Sequence, residues 1–275
     1  MPIYKRRRSA LFLPASNSRA IEKARTLQAD VVILDLEDAV SPEQKSLARN
    51  QAAQAMKDGF PMEVAVRINP IHTPWGEADL ALMQDLKPDV LVLPKVEQAA
   101  DLPEVRLPLW AMIETPLGLV NSQEIARHSD VEALVMGTTD LVKALQARPM
   151  KNRENLMYAL SQVVTHARAY GKYALDGVHL DFRNLDSLED VCVQGRDLGF
   201  DGKTLIHPAQ IEVANRVFSP SLEEIEWAQK VIAAWQAKDA QQGVTVVDGL
   251  LIEELHAIEA ERILDIAQSI STGNP

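Results

Sequence analysis

Two short runs carry acids where an apolar strand would end. AMIETPLGLV (111–120) is apolar up to Glu114, and VEALVMGTTDL (131–141) is apolar up to a segment that closes on Asp140. Two carboxylates at neighbouring strand ends suit three roles: ligands of a hard divalent cation, an acid/base pair, or two solvated loop acids. If they converge without a cation they repel, and one must take up a proton. Oxygen-only ligation with open positions is what Mg²⁺ accepts. Spacing alone leaves these roles open, together with a pairing of either acid to Lys95 or Arg67. Arg67 closes the run EVAVRIN (63–69). A guanidinium there grips a carboxylate at two points, or it forms a structural ion pair with Glu37 or Asp38.

These residues need a scaffold that brings separate strand ends together. Eight short apolar, β-branched runs occur, at 9–15, 30–37, 63–69, 90–95, 107–115, 131–140, 173–179 and 202–208, each followed by a helical pattern. The runs do not alternate strictly between apolar and polar, as befits strands buried on both faces. Eight βα units in a chain of 275 residues predict an α/β fold, a (β/α)₈ barrel, whose site lies at the C-terminal strand ends. A doubly wound open sheet is the alternative, and it fits less well because no Gly-rich loop follows the first strand. After the barrel, over 1–219, an extension is expected over 220–275. It comprises an amphipathic helix from SPSLEE, a hairpin turning on Asp248-Gly249, and a last helix. The hairpin flap is expected to be mobile, having few large apolar anchors.

Polar residues collect at the predicted strand ends: Asp35, Glu37 and Asp38, then Arg67 and Asn69, Lys95 and Glu97, Glu114, Asp140, Asp176 and His179, and Lys203 and His207. Among the six histidines no HxH or HExxH pattern occurs. His128 and His166 are read as surface residues, and His207, next to Pro208, as a residue that orders a loop. The single cysteine, Cys192, excludes an intrachain disulfide and a cysteine metal cluster and reads as a small core residue. The net charge of −11 argues against a nucleic-acid partner. The basic run KRRR at 5–8 is read as a solvated arm, with contact to an anionic ligand as the alternative. Without a signal peptide pattern or an apolar run of about 18 residues or more, the chain is expected to be cytoplasmic and to have no membrane partner.

The motifs RRSALFLPASNSRAIEKA, VILDLEDAVSPEQK, VRINPIHTPWGEADL, LPKVE, IETPLGL, GTTDL and GFDGKTLIHPAQIEVANRVFSPS, in this order, resemble the citrate lyase β-subunit-like proteins, within the superfamily of metal-dependent acyl-CoA lyases and pyruvate aldolases. The resemblance spans roughly residues 6–250. It implies a barrel with a C-terminal extension, assembled as a homotrimer or a higher multiple. It implies Mg²⁺ held by Glu114 and Asp140, and Arg67 as the family arginine, acting in substrate binding and catalysis. It also implies cleavage of a 3-hydroxyacyl-CoA of the citramalyl, malyl or citryl type to acetyl-CoA and a short 2-oxo acid. Arg19 and Lys23 on the first helix, or the Arg6–Arg8 run, would meet the phosphates of the CoA partner. Relatives carry a flap aspartate followed closely by proline, which serves in acid/base chemistry. DGLLIEELH places Glu253 there, with no proline after it. Glu253 is then either the catalytic substitute or a helix-start acid. The rivals to a CoA lyase are an aldolase acting on a free 2-oxo acid and a non-catalytic homologue that binds ligand or partner.

Overall fold

Each of the eight apolar runs forms a strand: β1 (Ser9–Pro14), β2 (Val31–Asp35), β3 (Glu63–Arg67), β4 (Val90–Leu93), β5 (Leu109–Ile113), β6 (Val131–Met136), β7 (Tyr173–Asp176) and β8 (Gly202–Leu205). In the computed structural model, which describes residues 5–239 and 241–271, they are all parallel and close into a barrel in chain order. The strands stop earlier than the apolar runs do. Thr138–Asp140 belong to a helix, and Lys95, Glu97, His179 and His207 lie in loops beyond their strands.

The helices around the barrel are α1 (Ser18–Ala24), α2 (Lys45–Asp58), α3 (Gly76–Leu86), α4 (Pro116–Val120), α5 (Ser122–Arg127), α6 (Thr138–Ala144), α7 (Met157–Ala169), α8 (Leu185–Leu198) and α9 (Ile211–Val217). Between β4 and β5 the expected helix is a single 3₁₀ turn, Ala99–Asp101.

Side-chain alternation explains why the strands are apolar throughout. On β2, Val31 and Ile33 join an interior cluster with Ala65, Val92, Trp110 and Met112. Val32 and Leu34 face the helices and join the larger outer cluster. The same parity puts Asp35 on the interior face.

The N-terminal mouth is closed by Arg7. It is fully buried, bonded to Glu63 at 2.9 and 2.6 Å and to Glu132 at 2.7 Å. Its guanidinium lies 4.9 Å from the Trp110 ring and 4.7 Å from that of Tyr173. Arg8 is paired with Asp30. The expectation of a solvated arm is therefore corrected for these two residues. A cation just before an interior strand can be buried when carboxylates at the same barrel end neutralise it. Both precede β1, so they lie at the mouth opposite the C-terminal strand ends.

Asp176 and Lys203 also fall outside the C-terminal mouth. They point outward, where Asp176 is bonded to Lys203 at 2.8 Å and to Arg153 at 2.7 and 2.9 Å. A Cβ on Gly195 of α8 would stand 2.9 Å from the Asp176 carboxylate. Burial alone would raise the Asp176 pKa, but Lys203 and Arg153 bring it below the ordinary range. Cys192, on the same helix, is buried, and burial pushes its thiol up to about 11, as expected of an inert core residue.

His207 orders its loop as the sequence suggests. Its Nδ1 accepts from the Ala209 amide at 3.1 Å, and its ring stacks on Phe182 at 4.6 Å. His207→Ala removes a cap and an aromatic contact, so a loss of about 1–2 kcal/mol is expected. A urea midpoint shift at constant slope reads this, and an unmoved midpoint refutes it. His128 and His166 are half-buried rather than exposed. His166 Nδ1 is 2.8 Å from the Ser122 hydroxyl.

The chain divides into two compact units, Arg7–Phe218 and one built on the residues from Ser219 onward with Lys5 and Arg6. In the second, α10 (Leu222–Ala237) begins with a capping box between Ser221 and Glu224. The hairpin β9 (Thr245–Val247) and β10 (Leu250–Ile252) turns on Asp248 and Gly249, both left-handed at φ 49° and 81°. Then α11 (Glu254–Ser271) follows. Val247 and Ile252 are buried with Ala228, Val231, Ala260 and Ile263. The hairpin thus has two apolar anchors within its unit, while Val246, Leu250 and Leu251 are exposed. Among the described residues no helix is long and apolar enough to cross a membrane.

Candidate active site

At the end of β2, Asp35 is fully buried and receives four hydrogen bonds. The amides of Glu37 and Ala39 donate at 2.9 and 3.0 Å. Arg67, opposite it in the β2–β3 register, donates from Nε and Nη2 at 2.7 and 2.6 Å. Arg67 thus forms a two-point fork, on Asp35, and it also makes the structural ion pair with Glu37 that was the alternative reading. Its third nitrogen, Nη1, is 3.2 Å from Glu37 Oε2, an ion pair without hydrogen-bond alignment, since that oxygen has no hydrogen-bond partner among the described residues. The guanidinium also lies 4.5 Å from the Phe12 ring centre. Arg67 is therefore rigid and largely enclosed.

Glu37 accepts from the Lys95 ammonium. Lys45 fixes the loop beneath by donating to the carbonyls of Leu36 and Glu37 at 2.8 and 2.7 Å. Burial raises the Glu37 pKa, with Arg67 and Lys95 working against it. Lys95 also reaches the next acid through its backbone, its amide donating to Glu114 Oε1 at 2.7 Å.

Why an acid, a threonine and a proline follow an apolar strand is now apparent. Glu114 ends β5, Thr115 caps α4 by accepting from the Gly118 amide at 3.0 Å, and Pro116 occupies the first helical position. Glu114 is only 2% exposed. Burial first, and the nearby Glu37 second, push its carboxyl up to about 7, partly offset by the Lys95 amide, Arg67 and the Lys95 charge. Its neighbour across the β5–β6 seam is Gly137, whose amide donates to the Ile113 carbonyl at 3.1 Å. A Cβ on Gly137 would stand 2.3 Å from Glu114 Cβ and 2.4 Å from Oε2. The glycine is there because the glutamate fills that space. Gly137→Ala is expected to displace Glu114, cost about 1–3 kcal/mol of stability by overpacking and weaken Mg²⁺ binding at least tenfold in calorimetry. Parent-like Mg²⁺ titration by a folded variant would count against this.

Asp140 lies three residues after Gly137, in the first turn of α6 rather than at the end of β6. It is half-buried and has no hydrogen-bond or ion-pair partner among the described residues. Thus one oxygen of Glu114 is fixed, and among the described residues its other oxygen has no donor and Asp140 has no partner. This donor set fits a hard cation. Mg²⁺ commonly takes one or two carboxylates and completes its shell with water or substrate oxygens. Consistent with so sparse a set, no group of three or more His, Cys, Asp or Glu that could hold a metal occurs among the described residues.

A sequence model of the HpcH/HpaI aldolase/citrate lyase family matches residues 8–208. The chain belongs to this family. The match covers the HpcH/HpaI unit that holds Asp35, Arg67, Lys95, Glu114 and Asp140, and ends before the second unit. The chain is 46% identical over 273 residues to a protein of Cereibacter sphaeroides named (3S)-malyl-CoA thioesterase, covering 96% of this chain and 95% of that one. It is 34% identical to citrate lyase subunit beta of Leuconostoc mesenteroides subsp. cremoris, covering 96% and 94%. A solved structure of CitE from Mycobacterium tuberculosis in complex with magnesium, acetoacetate and coenzyme A superposes with a TM-score of 0.82 at 32% identity, covering 94% of this chain and 97% of that one.

Arg19 and Lys23 are exposed on α1 and have no ion-pair partner among the described residues. Glu253 belongs to the second unit. It is exposed between β10 and α11, its amide donating to His256 Nδ1 at 3.1 Å and its carbonyl accepting from the His256 and Ala257 amides at 3.0 and 3.3 Å. Three contributors were not predicted in these roles. Asp35 was legible from the 31, 33, 35 alternation, whereas Lys45 and Gly137 carry no sequence signal for theirs.

Proposed function

We propose that the chain hydrolyses the thioester of a short 3-hydroxyacyl-CoA of the malyl type, using Mg²⁺ at Glu114 and Asp140. The observation that carries the metal-assisted part is the pair itself: a buried glutamate with one oxygen fixed by the Lys95 amide, and, three residues past the glycine packed against it, an aspartate with no hydrogen-bond or ion-pair partner among the described residues. The choice of hydrolysis is supported by the 46% full-length identity to a protein named as a thioesterase, against 34% to a citrate lyase chain.

When bound, Mg²⁺ supplies a Lewis-acid charge to oxygens of the substrate. Glu114, just past β5, and Asp140, in the first turn of α6, would hold it. Arg67, immobilised by Asp35, adds a fixed positive charge in a low-dielectric wall, and negative charge that develops on the attacked carbonyl oxygen is stabilised against it without reorganisation. Arg19 and Lys23 are the exposed cations we assign to CoA phosphates. Glu253 is read as a helix-start acid, which suits its place before α11.

Carbon–carbon cleavage is the second reading, because the same set serves a retro-Claisen step and the citrate lyase relative matches over nearly its full length. The products decide. Hydrolysis of malyl-CoA releases free thiol and malate, whereas cleavage yields acetyl-CoA and glyoxylate with no thiol. We expect thiol release without 2-oxo acid, abolished by EDTA. Glyoxylate from malyl-CoA, or pyruvate from citramalyl-CoA, in step with substrate loss establishes the lyase instead. Glu253→Ala should leave the rate unchanged, and a fall of about a hundredfold or more, the scale of a general acid/base, makes the flap glutamate catalytic.

A further inference from the structure

We propose that Lys95 is a substrate-contacting residue, whose ammonium binds the carboxylate of a short acid while the backbone of the same residue fixes Glu114. The inference rests on reading Glu114 as a cation ligand. It begins from the backbone. Lys95 has φ 52°, the left-handed region that non-glycine residues adopt infrequently and that is often retained for function.

The surroundings hold it in that conformation from two sides. Its own amide is on Glu114, and the next amide, Val96, donates to the Met112 carbonyl at 3.3 Å. α4 presses on the same turn, since a Cβ on Gly118 would stand 2.3 Å from the Val96 carbonyl oxygen. The turn therefore follows β5 as one body, and the ammonium is delivered back across the mouth to Glu37 on the β2 side.

The donor count is what separates Lys95 from the other cations near the mouth. Arg67 spends Nε and Nη2 on Asp35, and Nη1 faces Glu37 and the Met112 sulfur at 3.7 Å; its side chain is 10% exposed. Lys45 is buried and donates to two carbonyls. Lys95 is 37% exposed. Its ammonium has three donors and makes one hydrogen bond among the described residues, to Glu37. The Asp38 carboxylate, at 3.7 Å, is beyond hydrogen-bond reach. Two N–H groups thus have no hydrogen-bond partner among the described residues, on a cation whose own amide is bonded to Glu114. A ligand carrying a carboxylate and a second oxygen meets a cation at each end: the metal at Glu114 and Asp140, and the ammonium of Lys95. An acyl group without a carboxylate, such as the acetyl group of acetyl-CoA, gains nothing from the second contact, so Lys95 selects acids.

The test is calorimetry on the full chain with acetoacetate as probe in saturating Mg²⁺, and with Mg²⁺ alone. Lys95→Met keeps the length of the side chain and removes its charge, and Lys95→Arg keeps the charge. We expect Lys95→Met to bind Mg²⁺ within threefold of the parent and acetoacetate at least tenfold more weakly, with Lys95→Arg recovering most of the loss. A merely structural role predicts that Mg²⁺ and acetoacetate affinity fall together and that Lys95→Arg rescues neither, and this overturns the proposal. So does a parent that binds no acetoacetate, or a Lys95→Met variant that binds it as the parent does. If the parent leaves malyl-CoA and citramalyl-CoA intact yet loses acetoacetate on Lys95→Met alone, the proposed function fails and the role of Lys95 stands.

Discussion

Arg67→Lys is expected to cost about 2–4 kcal/mol in kcat/KM, the scale of losing one preorganised donor at a developing oxyanion. At 1.36 kcal/mol per tenfold, that is about 30- to 900-fold. The substitution keeps the charge and is nonetheless severe. A planar guanidinium satisfies both oxygens of Asp35 and leaves its third nitrogen against Glu37. An ammonium is a point charge and cannot hold that fork. It would follow one acid or the other, leaving a buried carboxylate half-satisfied and the positive charge displaced from the mouth. Stability should fall as well, since a buried carboxylate that loses a partner pays its desolvation. The two consequences are separable. If kcat/KM falls while KM stays near the parent value, the loss is in the transition state. If the variant keeps parent-like kcat/KM, Arg67 is a structural clasp for Asp35 and has no part in the reaction.

How much of this arrangement was legible in the sequence differs from element to element. The barrel was, because a strand buried on both faces must be apolar throughout, and eight such runs alternating with amphipathic ones leave few other closed packings. The strand ends were less so. GTTD continues the apolar run of β6 without a break, but Gly137 starts a new direction and Asp140 belongs to a helix. The boundary is set by Glu114 on the neighbouring strand, which no local pattern reports. Arg7 illustrates the opposite failure. A run of four basic residues near a terminus ordinarily solvates, yet here one of them is neutralised by Glu63 and Glu132 from strands 56 and 125 positions away in the chain. The partner of Arg67 was open to inference from parity, because Asp35 shares a face with Val31 and Ile33. The left-handed turn at Lys95 was not, since lysine gives no sign of it and the pins that hold it come from β5.

Glu114→Gln is expected to be more stable than the parent at neutral pH without Mg²⁺, by a margin that Mg²⁺ largely removes. Without the metal, the buried carboxyl is lifted from an ordinary 4.5 to about 7. The folded chain then holds a proton that the unfolded chain gives up. Between these values stability falls as pH rises. The penalty is small below about pH 4.5 and fully present above about pH 7. At 1.36 kcal/mol for each pH unit, it amounts to something on the order of 3 kcal/mol. Glutamine carries no charge and still offers Oε1 to the Lys95 amide, so in EDTA at pH 8 the variant should be the more stable chain, and the difference should shrink on acidification toward pH 5. Mg²⁺ largely removes this margin. It binds only the folded parent, and at 100 times its Kd mass action supplies about 2.7 kcal/mol. The variant, lacking an anionic ligand, should need at least a hundredfold more metal. Thermal or urea unfolding of both chains at pH 5 and pH 8, each with EDTA and with Mg²⁺, reads all four corners. A variant that is less stable than the parent in EDTA at pH 8 means that Glu114 is ionised and satisfied by the protein's own cations. In that case Lys95 and Arg67 complete an internal ion-pair network, and the site for a divalent cation lies elsewhere.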